Sequence, residues 1–181
     1  MNSMESTINL KGSLAYIYKV LVDSLIKMKV QPIAGAIDEN NLVIGVKLAD
    51  IAEIITSEID KGKWKMKLNE GKLYLKSNEK ANEEELREVN KNVLSKIRKL
   101  GIDSGAYITD DNETVILIDV EGIVRQVLQN ALMVTRDKVG SHMRLVRTRF
   151  GTLEGYTYIL LYKKGKETNG SELRKMLDEV S

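Results

Sequence analysis

The sequence predicts an α+β protein, a tandem pseudo-symmetric repeat of helix-hairpin-helix-hairpin units whose antiparallel sheets are covered by helices on one face. Three observations lead there. The stretch Gly105–Leu132, GAYITDDNETVILIDVEGIVRQVLQNAL, reads as strand, tight turn, strand and apolar helix. The same signal stands seventy-two residues upstream in AGAIDENNLVIGVKLADIAEII, and the match runs without a gap from Leu14/Leu86 to Ile51/Ile123. It includes the identities Ala34/Ala106, Asp38/Asp110, Asn40/Asn112, Val43/Val115 and Ile44/Ile116. Self-similarity at a fixed spacing implies a duplicated unit. Finally, KWKMKLNEGKLYLK alternates strictly on both sides of a glycine, the pattern of a half-buried hairpin.

The units are expected at 1–81 and 101–181, with a shared helix over 82–100. Ser13 is placed to cap the first helix, which runs to about Met28. Its apolar arc is broader than one stripe: Tyr16, Val20 and Ile26 lie off the line of Leu14, Ile17, Leu21 and Leu25, so it suits a homodimer surface as well as a core. Pro32 ends that region, and strands follow at Ile33–Ile37 and Leu42–Val46 around the turn Asp38-Glu39-Asn40-Asn41. A helix is expected over about 49–59, then the hairpin turning at Glu70-Gly71 with Trp64, Met66, Leu68, Leu73 and Leu75 on one face. The helix from Glu83 to Leu100 has an acidic start and a basic end, which complement its dipole. The second unit repeats the order: strands around Asp110-Asp111-Asn112-Glu113, a helix over 121–135, a hairpin of 143–150 against 155–163, and a last helix capped by Ser171.

With 181 residues, 43% hydrophobic, the chain can bury a sizeable core. The net charge is only +2, so attraction to an anionic partner depends on how charge is arranged. Absence of cysteine excludes disulfides, thiolate zinc sites and thiol nucleophiles, and favours a cytoplasmic setting. The opening MNSMESTINLKGS lacks the basic start and apolar core of a secretory signal, and no stretch has the about 20 apolar residues of a bilayer span, so a soluble protein without a membrane partner is expected. One proline and abundant Lys, Glu and Ile give a thermophile-like composition.

The element order, particularly GAYITDDNETVILID before a helix and GYTYILLYKKGKETNGSELRKML at the end, resembles the roadblock family of dynein light chains and bacterial polarity proteins. The resemblance implies a non-catalytic, usually dimeric platform for small GTPases or motor subunits, here as a covalent pseudo-dimer. The chain departs from it in having two strands rather than three after each central helix.

Chemistry-bearing motifs are few. No phosphate-binding GxxxxGK[ST] or GxGxxG occurs, and His142 is the only histidine, so no imidazole cluster can form. The acidic turns fit no calcium loop, and no metal or cofactor is expected. Asp119 and Glu121 read as helix-capping residues. One constellation stands out, the basic, tyrosine-bearing faces of the two later hairpins. Seven lysines face two acids between Lys61 and Lys80, and five basic residues face Asp137 between Arg136 and Arg149. Lys67 is expected opposite Tyr74, Arg147 opposite Tyr158 and Arg149 opposite Tyr156, on outer sheet faces. Lys65, Lys67, Lys76, Arg144, Arg147 and Arg149 would then contact phosphates while Tyr74, Tyr156 and Tyr158 stack on bases. Edge strands carry Lys and Arg to block edge pairing as well, so the pattern alone does not separate the two roles. The expected function is non-enzymatic binding of RNA or single-stranded DNA. A roadblock-like scaffold with a protein partner is the alternative, and an enzyme comes third.

Overall fold

In the computed structural model, which describes residues 12–103, 107–111 and 115–180, helix α1 (Gly12–Lys27) leads into strands β1 (Ile33–Asp38) and β2 (Asn41–Lys47) and helix α2 (Leu48–Ile55). Strands β3 (Trp64–Asn69) and β4 (Lys72–Ser77), helix α3 (Glu83–Lys99) and strands β5 (Ile108–Asp111) and β6 (Val115–Asp119) follow. Helix α4 (Val120–Val139), a 3-10 turn at Gly140–Met143, strands β7 (Val146–Leu153) and β8 (Tyr156–Lys163) and helix α5 (Gly170–Val180) complete the chain. The fold is α+β with antiparallel sheets. The expected turn Asp110–Glu113 falls partly outside the described residues, as do Gly105 and Ala106.

Local chemistry explains the element ends. Asn82 and Glu85 form a capping box at the start of α3, side chain to backbone in both directions. Asx chemistry makes the first turn, where the Asn40 N–H donates to Asp38 Oδ1 at 2.7 Å. Three expectations are corrected. Ser13 lies inside α1 and bonds His142 Nδ1 at 3.0 Å instead of capping. Asn169 rather than Ser171 caps α5, accepting from the Glu172 N–H at 3.0 Å. Helix α2 stops at Ile55, where Thr56 turns its hydroxyl back onto the Ala52 carbonyl at 2.7 Å and the chain tightens.

The compact units do not follow the sequence halves of 1–81 and 101–181. One comprises Met1–Lys47 with Leu128–Ser181, the other Leu48–Val127, and α4 runs from the second into the first. The physical reason is strand pairing. In the first unit the sheet has the order β1-β2-β8-β7, so hairpins from the two ends of the chain close it through β2 and β8, in register from Lys47↔Tyr156 to Asn41↔Tyr162. In the second the order is β3-β4-β6-β5, closed through β4 and β6 from Lys72↔Asp119 to Lys76↔Val115.

The sheet of the first unit is covered on both faces, not one. Tyr158, Leu160 and Val43 pack with Leu173, Met176 and Leu177 of α5. Leu42, Ile44, Ile159 and Leu161 point the other way by alternation, and all are fully buried on the side where α1 meets β2 and β8. That is why NLVIGV of β2 is buried without a break. Asn41 routes the chain toward α5: its Nδ2 donates to the Lys166 carbonyl at 2.7 Å and its Oδ1 accepts from the Thr168 N–H at 2.9 Å. In the second unit Trp64, Leu73, Leu75, Ile116 and Ile118 form the buried face of the sheet, and α2 packs against α3, with Ile51, Ile55, Val89, Val93 and Ile97 buried.

Asn41 is 1% exposed, so removing its side-chain amide strands two backbone groups. Asn41→Leu is expected to lower stability by about 2 kcal/mol, read as a shift of the urea midpoint at constant slope.

Candidate functional site

The Glu70-Gly71 turn, with φ of 51° and 79°, sets the geometry of the candidate site. Two successive left-handed residues match the twist of the flanking strands and fix the register Asn69↔Lys72, Leu68↔Leu73, Lys67↔Tyr74 and Lys65↔Lys76. The turn is also anchored, because the Glu121 N–H donates to the Gly71 carbonyl at 3.0 Å. With Trp64, Leu73 and Leu75 buried on one side, alternation turns Lys65, Lys67, Lys72, Tyr74 and Lys76 to the other.

Strand β6 widens this face. Leu117 stands beside Tyr74, Val115 beside Lys76, and Asp119 beside Lys72. The central row therefore reads Lys67, Tyr74, Leu117 across three strands, with Thr109 at the next register position on β5. Among the described residues no helix covers it: Lys65, Lys67 and Lys76 are exposed and Tyr74 is 38% exposed. Lys72 pairs with Asp119 at 2.9 Å. Lys65, Lys67 and Lys76 have no acidic partner among the described residues. At the end of the face Tyr107 has its phenol pushed up by burial, and then by the Asp119 and Asp103 carboxylates. Among the described residues no three His, Cys, Asp or Glu side chains gather as a metal site would need.

The other expected half of the site is not an open face. The turn of the last hairpin is Glu154-Gly155, with Gly155 at φ 83°, and pairing runs Leu153↔Tyr156, Gly151↔Tyr158, Arg149↔Leu160 and Arg147↔Tyr162. Arg147 therefore meets Tyr162 rather than Tyr158, and Arg149 meets Leu160 rather than Tyr156, a shift of four residues from expectation. Gly151, not Gly155, lies inside the strand, and its missing side chain leaves room for the Tyr158 ring. Tyr156 and Tyr158 are each 7% exposed, Tyr158 in the core under α5, so neither presents a ring for stacking. Arg149 is paired with Glu167, Arg147 donates to the Arg144 carbonyl at 3.1 Å, and Arg144 is exposed after the 3-10 turn.

Sequence reasoning thus finds Lys65, Lys67, Tyr74 and Lys76 together, and misses Lys72, Val115 and Leu117. Lys72 shares the alternation of Tyr74 and was legible; Val115 and Leu117 enter through the long-range β4–β6 pairing, which no local pattern encodes. His142, the only histidine, bonds Ser13 and stacks edge-on against Tyr16 with ring centroids 4.8 Å apart.

No family model matches the chain, and no solved structure matches it. It is similar to a protein described as uncharacterized protein 34 of Sulfolobus islandicus filamentous virus (isolate Iceland/Hveragerdi). The two are 41% identical over 160 residues, covering 88% of this chain and 90% of the viral protein.

The close fit of Gly151 to Tyr158 is testable. Gly151→Ala drives a Cβ into the ring and is expected to cost about 1–3 kcal/mol in chemical denaturation, whereas Gly155→Ala acts only through its positive φ, at about 1 kcal/mol.

Proposed function

This chain belongs to the family of uncharacterized protein 34 of Sulfolobus islandicus filamentous virus, and we propose that it is a non-enzymatic nucleic-acid-binding protein acting through the open face of the β3-β4-β6-β5 sheet. The observation that carries the reading is three lysines, without acidic partners among the described residues, around a half-exposed tyrosine on a sheet face that no described helix covers. Ammonium groups supply charge for phosphates, and the Tyr74 ring supplies a surface for one base. Lys72 contributes less, since Asp119 already neutralises it.

We also propose that the chain is a tandem pseudo-symmetric repeat whose copies exchange hairpins. Strand pairing supports this. Matching β2 to β6 at the seventy-two-residue spacing, and Gly71 to Gly155, turns Lys72↔Asp119 into Tyr156↔Lys47 and Lys76↔Val115 into Leu160↔Val43. The same correspondence turns Trp64↔Ser77 into Thr148↔Leu161. Only the first hairpins diverge: Ile44 pairs with Ala34, while its counterpart Ile116 pairs with Asp110.

A roadblock-like, dimeric interaction scaffold is the second reading. Exposed Tyr16 and Ile26 on α1, and Met133 and Val134 on α4, favour it.

Titrating purified protein with short single-stranded RNA, single-stranded DNA and duplex DNA across a salt series tests the first reading. Each phosphate neutralised on a single strand contributes about −0.7 to the slope of log K against log salt, so affinity should fall as salt rises. Tyr74→Ala should weaken binding by about 1–3 kcal/mol. Absence of binding at low salt overturns this reading, and loss of a dimer or of a captured protein on Ile26→Lys would then support the scaffold.

A further inference from the structure

Lys65 and Lys76 stand directly opposite one another on neighbouring antiparallel strands, and neither has an acidic partner among the described residues. Like charges in that relation repel, so the row is destabilising in the free protein. The corresponding row of the other sheet is built differently. Under the strand correspondence above, Lys65 answers to Arg149 and Lys76 to Leu160, which face each other in register. There the repulsion is removed twice, by leucine in place of the second cation and by Glu167 paired with Arg149.

The covering element differs as well. Helix α5 seats on that other face above Gly45, where a Cβ would come within 3.2 Å of Leu177 Cδ2, while Gly151 leaves space for the Tyr158 ring. The counterparts of Gly45 and Gly151 are Leu117 and Lys67, so side chains fill the space that lets a helix approach. The open face is therefore poorly shaped for an amphipathic helix and carries a pair of cations with no acidic partner among the described residues, in a row that continues through Val115 to the register position of Asp111 on β5.

We propose that Lys65 and Lys76 form a phosphate clamp, and that the adjoining row of Lys67, Tyr74 and Leu117 is the base seat beside it. The occupant is a single-stranded polynucleotide, with a backbone phosphate between the two ammonium groups and the neighbouring base on the tyrosine. This rests on the nucleic-acid reading above and adds the division of labour between rows. The anion that Glu167 supplies to Arg149 within the chain is supplied to Lys65 and Lys76 by the ligand.

The test is Lys76→Leu in the full chain, which installs the residue found at the counterpart position, with Lys91→Leu on the exposed side of α3 as control. Fluorescent single-stranded oligonucleotides report affinity across a salt series, and thermal melting reports stability. Lys76→Leu should weaken binding about tenfold at low salt, reduce the salt slope by less than about 0.7 because Lys65 still meets the shared phosphate, and raise the melting temperature by roughly 2 °C as the repulsion goes. Lys91→Leu should change none of these. Unchanged affinity in Lys76→Leu, with the unmodified protein still binding, overturns the clamp and leaves nucleic-acid binding standing. Weaker binding without a gain in melting temperature overturns the strained pair as its basis. No binding by the unmodified protein overturns both proposals.

Discussion

Pairing of β2 with β8 brings residues 41–47 against residues 156–162, and the rest of the first unit depends on it. Both strands are central, and every β2 residue from Asn41 to Val46 is buried. Neither the β1–β2 nor the β7–β8 hairpin offers its apolar residues a complete core alone, and an isolated two-stranded hairpin is marginal in water. Once the pair forms, one face receives α1 and the other receives α5. Such pairing closes a loop of more than a hundred residues, so formation of this sheet must await nearly the whole chain and should limit the folding rate.

A sheet with two faces needs two covers, and the two sheets solve that differently. In the first unit α5 buries Leu173, Met176 and Leu177, each contributing about 1.5–3 kcal/mol, which holds the helix firmly over Tyr158 and Leu160. Asn41 fixes the path by which the chain reaches it. In the second unit the corresponding face carries lysines, Tyr74, Val115 and Leu117, with Asp119 and Tyr107 at its end. Desolvating those ammonium groups under an apolar helix would cost more than the helix could return, so water or an anionic ligand is the suitable neighbour.

Charge arrangement, rather than net charge, carries the functional reading. A chain of net charge +2 has no strong global field, yet β3 and β4 concentrate cations on one sheet face while acids gather at helix starts such as Glu83, Glu84 and Glu85. Lysine on an edge strand also blocks edge-to-edge pairing, and Lys65 and Lys67 on β3 serve that end. Lys76 does not: it lies on β4, an inner strand, where edge protection is not needed.

Local pattern was enough to place most of the elements, though not every cap: Ser13 and Ser171 read as caps and are not. Period-two alternation located β3 and β4 and placed Lys65, Lys67, Tyr74 and Lys76 on one side, because the Glu70-Gly71 turn sets register over only a few residues. It misjudged the last hairpin, expecting strands over 143–150 and 155–163; the turn is Glu154-Gly155, and Gly151 lies inside β7, where its missing side chain leaves room for the Tyr158 ring. Tertiary structure alone decided which hairpins share a sheet, that Tyr156 and Tyr158 are buried, and that Val115 and Leu117 border Tyr74. Those outcomes depend on contacts between segments far apart in the chain, whose alternation is equally satisfied whichever face a distant helix covers.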